Sequence, residues 1–527
     1  MFNWSLPYVS RRAPVFARNA VATSQPLATQ AGIDMLRRGG NAVDAAIATA
    51  ITLTVVEPTM NGVGSDAFAI VWDGHDLTGI NGSGKSPAAW TPNRFKGPNM
   101  PTQGWDSVTV PGAVSTWVAL SQKFGKLPFA DLFEPAIRYA RDGFQVGTKT
   151  ASIWSWSVDS FAQFNGFQEH FAPHGRSPNP GEIFERPDLV ETLTDIAYTK
   201  GESLYRGRLA DAIVAQSQRE GGVMTLDDLA NHSVLWTDPI AQPYRDVVLH
   251  EIPPNGQGLA AQIALSILEH LDVQSIEPGS VNWIHYQVEA MKIAIRAAFD
   301  HFADPEVMTT PPSELLEPGS IARAAKSISN TSASRYPPVA LPVSEDTVYL
   351  TTADADGAMV SMIQSNYRGF GSGIVIDGTG ISMQNRGSGF VLTPGHPNIV
   401  AGSKRPFHTI IPGFVSRSDG GPAMAFGVMG GHMQHQGHVQ MVTRVFDHGE
   451  NPQAASDAPR WHVSPDYRLA LETGTSPKTI KALEERGHDA VLVTDEGLFG
   501  GAQLICCLED GYCAASDHRK EGMAAGF

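Results

Sequence analysis

Residues 41–56 constrain the fold most, because they predict a helix that is apolar on nearly every side. Asn41 is a favourable N-cap, and Asp44 falls in the first turn, where a negative charge stabilises the helix dipole. The run from Ala45 to Val56 has almost no polar face, so the helix has to be packed between other layers. It is also too short to span a bilayer, which requires about 20 residues. At about 150 residues per domain, the 527 residues allow two to four folding units or one large intertwined unit.

Composition and charge exclude several classes of protein. Hydrophobic residues make up 42% of the chain and charged residues 17%, which is typical of a globular protein rather than a disordered one. The 38 basic and 54 acidic side chains give a net charge of −16. Such a charge repels phosphate backbones, so we expect no nucleic-acid partner. With no apolar run of membrane-spanning length, we expect no membrane partner either.

Cysteine usage and the N-terminal segment predict a cytoplasmic location. The three cysteines, Cys506, Cys507 and Cys513, cannot form a disulfide framework, which favours a reducing compartment. Residues 1–16 have no uninterrupted apolar stretch after their basic pair, so they do not resemble a signal peptide.

The composition and the predicted secondary structure of the chain change near residue 346. Residues 327–345 contain five serines and three prolines among nineteen positions, which is the composition of a linker that extends to residue 346. Beyond it, Val348–Ala353 and Met359–Ser365 are predicted strands, joined by a hairpin signal at residues 354–357.

Residues 79–86 (GINGSGKS) match the phosphate-binding P-loop pattern. That function needs Lys85 and Ser86 in the first turn of a helix. Pro87 disfavours helical geometry at Ser86, and Pro92 interrupts the chain again. A glycine-rich turn without a phosphate is therefore the favoured interpretation.

Three histidines, His432, His435 and His438, recur at helical spacing and raise the hypothesis of a zinc site. No nearby carboxylate or cysteine in the sequence completes the ligand set, and Gly437 weakens a helix there. We therefore expect no metal and no cofactor.

Thr347 follows the linker directly and precedes a predicted buried strand. If the Asp346–Thr347 bond is cut, Thr347 gains a free α-amine with a pKa near 8. This amine can act as the base and the hydroxyl as the nucleophile. Gly430 and Gly431 form a turn after another predicted strand, and free N–H groups at such a turn can stabilise an oxyanion. Taken alone, these residues are better explained as a strand-forming threonine and an ordinary turn.

The sequence resembles the γ-glutamyltransferase family of N-terminal-nucleophile hydrolases along nearly its whole length. Within that family it is similar to the branch of γ-glutamyltransferase-like proteins and oxamate amidohydrolase. The similar segments are residues 21–58, GVGSDAF (62–68), SVTVPGAV (107–114), residues 346–361, FGSGI (370–374), KRPFHTIIP (404–412), GVMGGH (427–432) and NPQAASDAPRWH (451–462).

The resemblance implies an α+β fold, a four-layer αββα sandwich made as one precursor that cleaves itself. Thr347 matches the family's processing and catalytic threonine. Cleavage would give a large subunit, residues 1–346, and a small subunit, residues 347–527, which associate as one intertwined domain. Ser365 matches a second hydroxyl residue that hydrogen-bonds the nucleophile, and Gly430 and Gly431 match the oxyanion-hole glycines. A homodimer of such heterodimers is one option for the assembly.

Departures from the family pattern concern the part of the site that holds the substrate. Gly389 stands where the family has an aspartate, and Arg386 where it has a glutamine. Tyr367 replaces an asparagine, and His408 and Thr409 replace a pair of serines. An arginine that grips the α-carboxylate of glutamate is absent near residues 90–92.

Charge indicates what these departures mean for the substrate, a small molecule. An ammonium group would lose its carboxylate partner and face Arg386, which is repulsive, whereas an anionic group gains a bidentate partner. We therefore expect a small anionic amide as the substrate. The resemblance implies oxamate, hydrolysed to oxalate and ammonia, as the preferred one. The alternatives are a glutathione hydrolase or γ-glutamyltransferase, a metal-dependent hydrolase, and a non-catalytic binding protein. Arg386 could also serve merely to tie down its loop.

Overall fold

The computed structural model describes Trp4, residues 11–339 and residues 347–527. The strands of these regions are, in chain order, β1 (Val15–Ala17), β2 (Ala20–Thr23), β3 (Asp66–Trp72), β4 (Leu77–Asn81), β5 (Phe144–Gln145), β6 (Ile183–Phe184), β7 (Leu235–Thr237), β8 (Ile240–Tyr244), β9 (Val247–Glu251), β10 (Val348–Ala353), β11 (Met359–Ser365), β12 (Val375–Ile376), β13 (Ile381–Ser382), β14 (Gly413–Arg417), β15 (Pro422–Met429), β16 (Trp461–Val463), β17 (Leu469–Glu472), β18 (Ala490–Val493), β19 (Gly501–Leu508), β20 (Gly511–Ser516) and β21 (Met523–Gly526).

The helices are α1 (Pro26–Arg37), α2 (Ala42–Val56), α3 (Ala113–Phe124), α4 (Glu134–Asp142), α5 (Thr148–Ser160), α6 (Asn165–Phe171), α7 (Pro187–Thr199), α8 (Glu202–Arg206), α9 (Arg208–Arg219), α10 (Leu226–Ala230), α11 (Gly258–Glu269), α12 (Val281–His301), α13 (Pro312–Leu315), α14 (Pro318–Ser327), α15 (Met433–Val442), α16 (Pro452–Asp457) and α17 (Pro477–Glu485). None of the described helices is both long enough and apolar enough to cross a bilayer.

Two antiparallel seven-stranded sheets form the centre of the described structure. The first has the order β1-β20-β19-β15-β14-β9-β8, and the second has the order β21-β2-β10-β11-β3-β4-β7. Apolar side chains of both sheets meet in one layer, and they include Phe68, Ile70, Tyr349, Ile363, Phe414, Ala425, Met429 and Ile505. Each sheet contains strands from both sides of residue 346, so the two halves of the chain fold as one unit.

Helices cover the outer face of each sheet. α11 and α15 pack on the first sheet, and α12 packs on α11. α2 and α3 pack on the second sheet, α4 packs on α2, and α7 packs on α4. All fifteen residues of α2 are buried, and Asn41 caps the helix in a capping box with Asp44. The predicted apolar helix between layers is confirmed, and the four layers follow the predicted αββα order.

The predicted linker has no regular structure from residue 328 to residue 339. It lies against the C-terminal part of the chain, because Ala333 N–H donates to Arg486 O (2.7 Å) and Val339 N–H to Pro465 O (2.9 Å). Residues 340–346, including Asp346 of the expected cleavage site, lie outside the described residues.

Candidate active site

Thr347 directly precedes β10, a strand in the centre of the second sheet, and its side chain is buried. The β10–β11 hairpin pairs Val348 with Gln364, so the same register extended by one residue places Thr347 opposite Ser365. The Thr347 hydroxyl donates to Ser365 Oγ at 3.2 Å. Ser365 Oγ also accepts from the N–H of Tyr367 at 2.8 Å, which fixes its position.

Gly430 and Gly431 form the turn between β15 and α15. Their φ angles are 119° and 56°, a left-handed backbone that favours glycine. Among the described residues, neither glycine N–H donates a backbone hydrogen bond. The turn is close to Thr347, because Gln434 in the first turn of α15 reaches Thr347 Oγ1 with its Nε2 at 3.5 Å. Open N–H groups at the start of a helix beside a nucleophile are suited to an oxyanion.

Gln257 connects this turn with the segment that precedes β14. Its Nε2 donates to Gly431 O at 2.9 Å and to Thr409 O at 2.7 Å. Thr409 Oγ1 in turn accepts from Arg386 Nη1 at 2.8 Å. The predicted oxyanion turn and the predicted substrate residues therefore belong to one connected site.

Arg386 is fully buried, and its guanidinium lies 4.3 Å from the centre of the Tyr367 ring. Nη1 is bound to Thr409, whereas Nε and Nη2 have no hydrogen-bond partner among the described residues. Burial lowers the pKa of Arg386 to about 10, so the side chain stays charged at neutral pH. A buried cation with two open donors is suited to a bidentate carboxylate.

His408 and Asp66 form a buried pair on the other side of Thr409. His408 Nε2 lies 3.0 Å from Asp66 Oδ2, and both side chains are fully buried. Burial raises the pKa of Asp66 to about 7 and lowers the pKa of His408 well below its usual value. His408 is therefore neutral, and it is bound to Asp66 beside Arg386.

The P-loop-like segment contains no helix. The backbone is closely packed at Gly82, Gly84 and Gly112. A Cβ atom on Gly84, for example, would lie 1.6 Å from Val110 O. Ser86 Oγ donates to Ala401 O at 2.5 Å. The glycines are required for packing, in agreement with the favoured interpretation.

The three histidines of the metal hypothesis are buried in and just before α15. The expectation that no carboxylate lies near them is wrong, because Glu251 Oε1 contacts His438 Nδ1 at 2.6 Å. Glu251 comes from β9, which sequence spacing could not reveal. Within the described chain, the side chains whose ligand atoms lie close enough together to bind a metal ion are instead His285, Glu289 and His488. There the Lys292 ammonium contacts Glu289 at 2.8 Å and fills the position of a cation.

With this geometry established, comparison with known proteins decides the family. The sequence model described as gamma-glutamyltranspeptidase matches residues 28–527. The chain belongs to the γ-glutamyltranspeptidase family.

Two relatives and one solved structure are similar to this chain over nearly its whole length. The glutathione hydrolase-like YwrD proenzyme of Bacillus subtilis is 36% identical over 98% of this chain and 100% of its own length. The oxamate amidohydrolase proenzyme of Klebsiella pneumoniae is 34% identical over 95% of this chain and 97% of its own. The crystal structure of cephalosporin acylase from Bacillus halodurans is 43% identical, covers 100% of this chain and 99% of that one, and has a TM-score of 0.95.

These similarities confirm two predictions for this member of the γ-glutamyltranspeptidase family. The fold is the αββα sandwich of N-terminal-nucleophile hydrolases. The predicted class, a hydrolase of amide bonds made as a proenzyme, is confirmed as well.

Sequence reasoning missed three residues that build the site: Asp66, Gln257 and Gln434. Asp66 had a usable signal, because it is a carboxylate directly before the strongly apolar run of β3. Gln257 and Gln434 had no local signal, since their roles come from contacts with residues far along the chain.

Proposed function

We propose that the protein is a self-processing amidohydrolase of small amides that carry a carboxylate, with oxamate as the preferred substrate and Thr347 as the nucleophile. The observation that carries this proposal is the buried Arg386 guanidinium, which has two open donors and lies over the ring of Tyr367. The N–H of Tyr367 binds Ser365, the partner of Thr347. A carboxylate bound there would place an adjacent amide carbonyl near the Thr347 hydroxyl. The similarity to an oxamate amidohydrolase proenzyme supports the same substrate class.

Maturation would convert Thr347 into an N-terminal residue. Its hydroxyl attacks the carbonyl carbon of Asp346, the peptide C–N bond breaks, and an ester with a free Thr347 amine results. Water then hydrolyses the ester, leaving a carboxylate on Asp346 and the hydroxyl on Thr347.

Turnover would use the same atoms. The α-amine takes the hydroxyl proton as Thr347 Oγ attacks the amide carbonyl, and the N–H groups of Gly430 and Gly431 stabilise the oxyanion. The amine then protonates the leaving nitrogen, ammonia departs, and an acyl ester remains. Water, deprotonated by the same amine, attacks this ester and releases the dicarboxylate, which is oxalate when the substrate is oxamate.

We expect autocleavage between Asp346 and Thr347, and sequencing of the smaller fragment should read TVYLTT from its N-terminus. The two fragments should elute together in gel filtration, because β10 pairs with β2 and β11 pairs with β3 across the cleavage site. Any other N-terminus, or one intact band in fully active enzyme, would contradict this processing site. A cytoplasmic location and a homodimer of heterodimers stay predictions of the same proposal.

A glutathione hydrolase is the second candidate, and one observation favours it. A cavity of about 580 Å³ adjoins the site at Asn385, next to Arg386, and Arg368 and Lys520 also line it. Neither cation forms an ion pair within the described part of the chain, although Lys520 is only 7% exposed. Such a cavity would hold the second carboxylate of a larger amide at Arg368 or Lys520, although Asp495 and Glu496 also line it.

A substrate panel on the processed enzyme separates the two candidates. We expect ammonia release from oxamate to exceed glutamate release from glutathione, because an α-ammonium would face Arg386 without a carboxylate at Gly389. Glutaryl amides, which lack the α-amine, serve as the matched control for substrate length. Faster turnover of glutathione than of either anionic amide would reverse the assignment.

A further inference from the structure

Asp66, the first residue of β3, carries a carboxylate that is completely buried. Oδ1 accepts the N–H of Gly112 at 3.0 Å, and Oδ2 lies 3.0 Å from His408 Nε2. The proton on the ring of His408 can be assigned, because Ile410 N–H donates to His408 Nδ1 at 3.4 Å. The ring is thus neutral with its proton on Nε2, and both oxygens of Asp66 act as acceptors. This is the hydrogen-bond pattern of an ionised carboxylate.

Arg386 is the positive group that balances this charge. Asp66 contacts His408, Arg386 contacts Thr409, and His408 and Thr409 are neighbours in the chain. The two charges therefore lie on either side of one dipeptide. Asp66 is the carboxylate whose charge acts on Arg386, and no ion pair joins Arg386 to a described residue. With the site empty, Asp66 and Arg386 are a neutral but separated pair.

We infer that Asp66 is a proton-accepting specificity residue of the anion site: it balances Arg386 when the site is empty and takes up one proton when a substrate carboxylate becomes the new counter-ion. The inference rests on the proposed anion site. Without proton uptake, a bound carboxylate and Asp66 would leave two buried negative charges against one guanidinium, which is unfavourable in a region of low dielectric.

The proton has a defined place. It comes from solvent and ends on Asp66 Oδ2, which then donates to His408 Nε2. His408 shifts its own proton from Nε2 to Nδ1, so the ring stays neutral. The change turns the 3.4 Å contact of Nδ1 with Ile410 N–H into two facing donors, a cost that removal of the second buried negative charge has to exceed. Asp66 would act through His408 and Arg386, as a positioning residue that does not touch the substrate.

The ionisation of Asp66 supports this role. Burial raises its pKa to about 7, while the charge of Arg386 and the N–H of Gly112 oppose the rise. A carboxylate bound to Arg386 cancels the main opposing charge, so the pKa rises further in the complex. Below pH 7 Asp66 is already protonated and anion affinity should be constant. Above pH 7 affinity should fall about tenfold per pH unit, until the pKa of the complex is reached.

Other titratable groups near Asp66 are Arg386, His408, Arg405 and the phenol of Tyr205. Burial keeps His408 neutral and raises the pKa of Tyr205, and neither ring changes charge near pH 7. Arg405 stays bound to Ser83 O and beside Asp304. In the processed enzyme the α-amine of Thr347 also titrates near pH 8. A variant that keeps this amine and lacks the Asp66 carboxyl separates the two titrations.

The test measures binding of pyruvate, an isostere of oxamate that cannot be hydrolysed because a methyl group replaces the amide nitrogen, on enzyme whose mass shows no covalent pyruvate adduct. Calorimetry at pH 8 in two buffers of different ionisation enthalpy should show uptake of close to one proton by the processed wild-type enzyme. Asp66→Asn mimics the protonated carboxyl, because its amide can donate to His408. This variant should show no such uptake and bind pyruvate about tenfold more tightly than wild type at pH 8.

Asp44→Asn is the matched control, because Asp44 is another buried aspartate that accepts backbone N–H groups and burial raises its pKa too. It should retain the wild-type proton uptake. If pyruvate binds but no proton is taken up, or if Asp66→Asn keeps the wild-type pH dependence, the inference is wrong while the anion site stands. If neither pyruvate nor oxamate binds wild type at any pH, the proposed function itself fails.

Discussion

Replacing Thr347 with alanine is expected to abolish both cleavage of the precursor and amide hydrolysis. The hydroxyl is the proposed nucleophile for each reaction, and loss of a covalent nucleophile costs on the order of 10⁶-fold in kcat. The fold should survive, because Thr347 precedes β10 and alanine keeps its Cβ. Gel electrophoresis and ammonia release from oxamate would report the two losses. Thr347→Ser retains a hydroxyl and should keep part of both activities.

Thr351→Ala is the matched control for this experiment. Thr351 is a buried threonine of the same strand, four residues further on and paired with Ser361 rather than Ser365. Its loss should cost stability at most, with normal processing. Full hydrolysis by the Thr347→Ala variant would end the N-terminal-nucleophile proposal, and equal loss in both variants would show that the strand, not the nucleophile, had been damaged.

Part of this site could be predicted from local sequence. The hairpin signal at residues 354–357 fixes two antiparallel strands, and their register alone brings Thr347 opposite Ser365. The Gly430–Gly431 turn was recognisable in the same way, since a strand pattern precedes it and helical residues follow. Asn41 and α2 were predictable because an N-cap and an uninterrupted apolar run are local properties.

The rest depends on contacts between distant segments. Asp66 meets His408 across 342 residues, and Gln257 meets Gly431 across 174. Neither the spacing nor the composition of one sequence records such pairings. The same limit explains the missed partner of His438, because Glu251 lies on a strand that becomes a neighbour of α15 after the sheets have formed. Residue types thus indicated the chemistry, while topology determined which groups face one another.

Replacing Arg386 with glutamine should lower kcat/KM for oxamate by about 10- to 150-fold. The lost contact is a charge-assisted hydrogen-bond pair, worth about 1.5–3 kcal/mol. Processing should be unchanged, because attack on the Asp346 carbonyl does not require Arg386 to bind a carboxylate. The resemblance to the γ-glutamyl enzymes also implies glutamine at this position. Activity on γ-glutamyl substrates relative to oxamate should therefore rise, which a steady-state comparison of both substrates would measure.

A companion variant distinguishes anion binding from a loop-tying role for Arg386. Thr409→Val removes the protein's own partner of the guanidinium but leaves the charge and the two open donors in place. If Arg386 binds the substrate carboxylate, Thr409→Val should lower kcat/KM for oxamate less than Arg386→Gln does. If Arg386 only fixes the segment around residue 386, both variants should lower the melting temperature similarly and neither should change the selectivity between oxamate and γ-glutamyl amides. A fully processed Arg386→Gln enzyme with unaltered kinetics on every anionic amide would remove the main support for an anion-selective site, and with it the role inferred for Asp66.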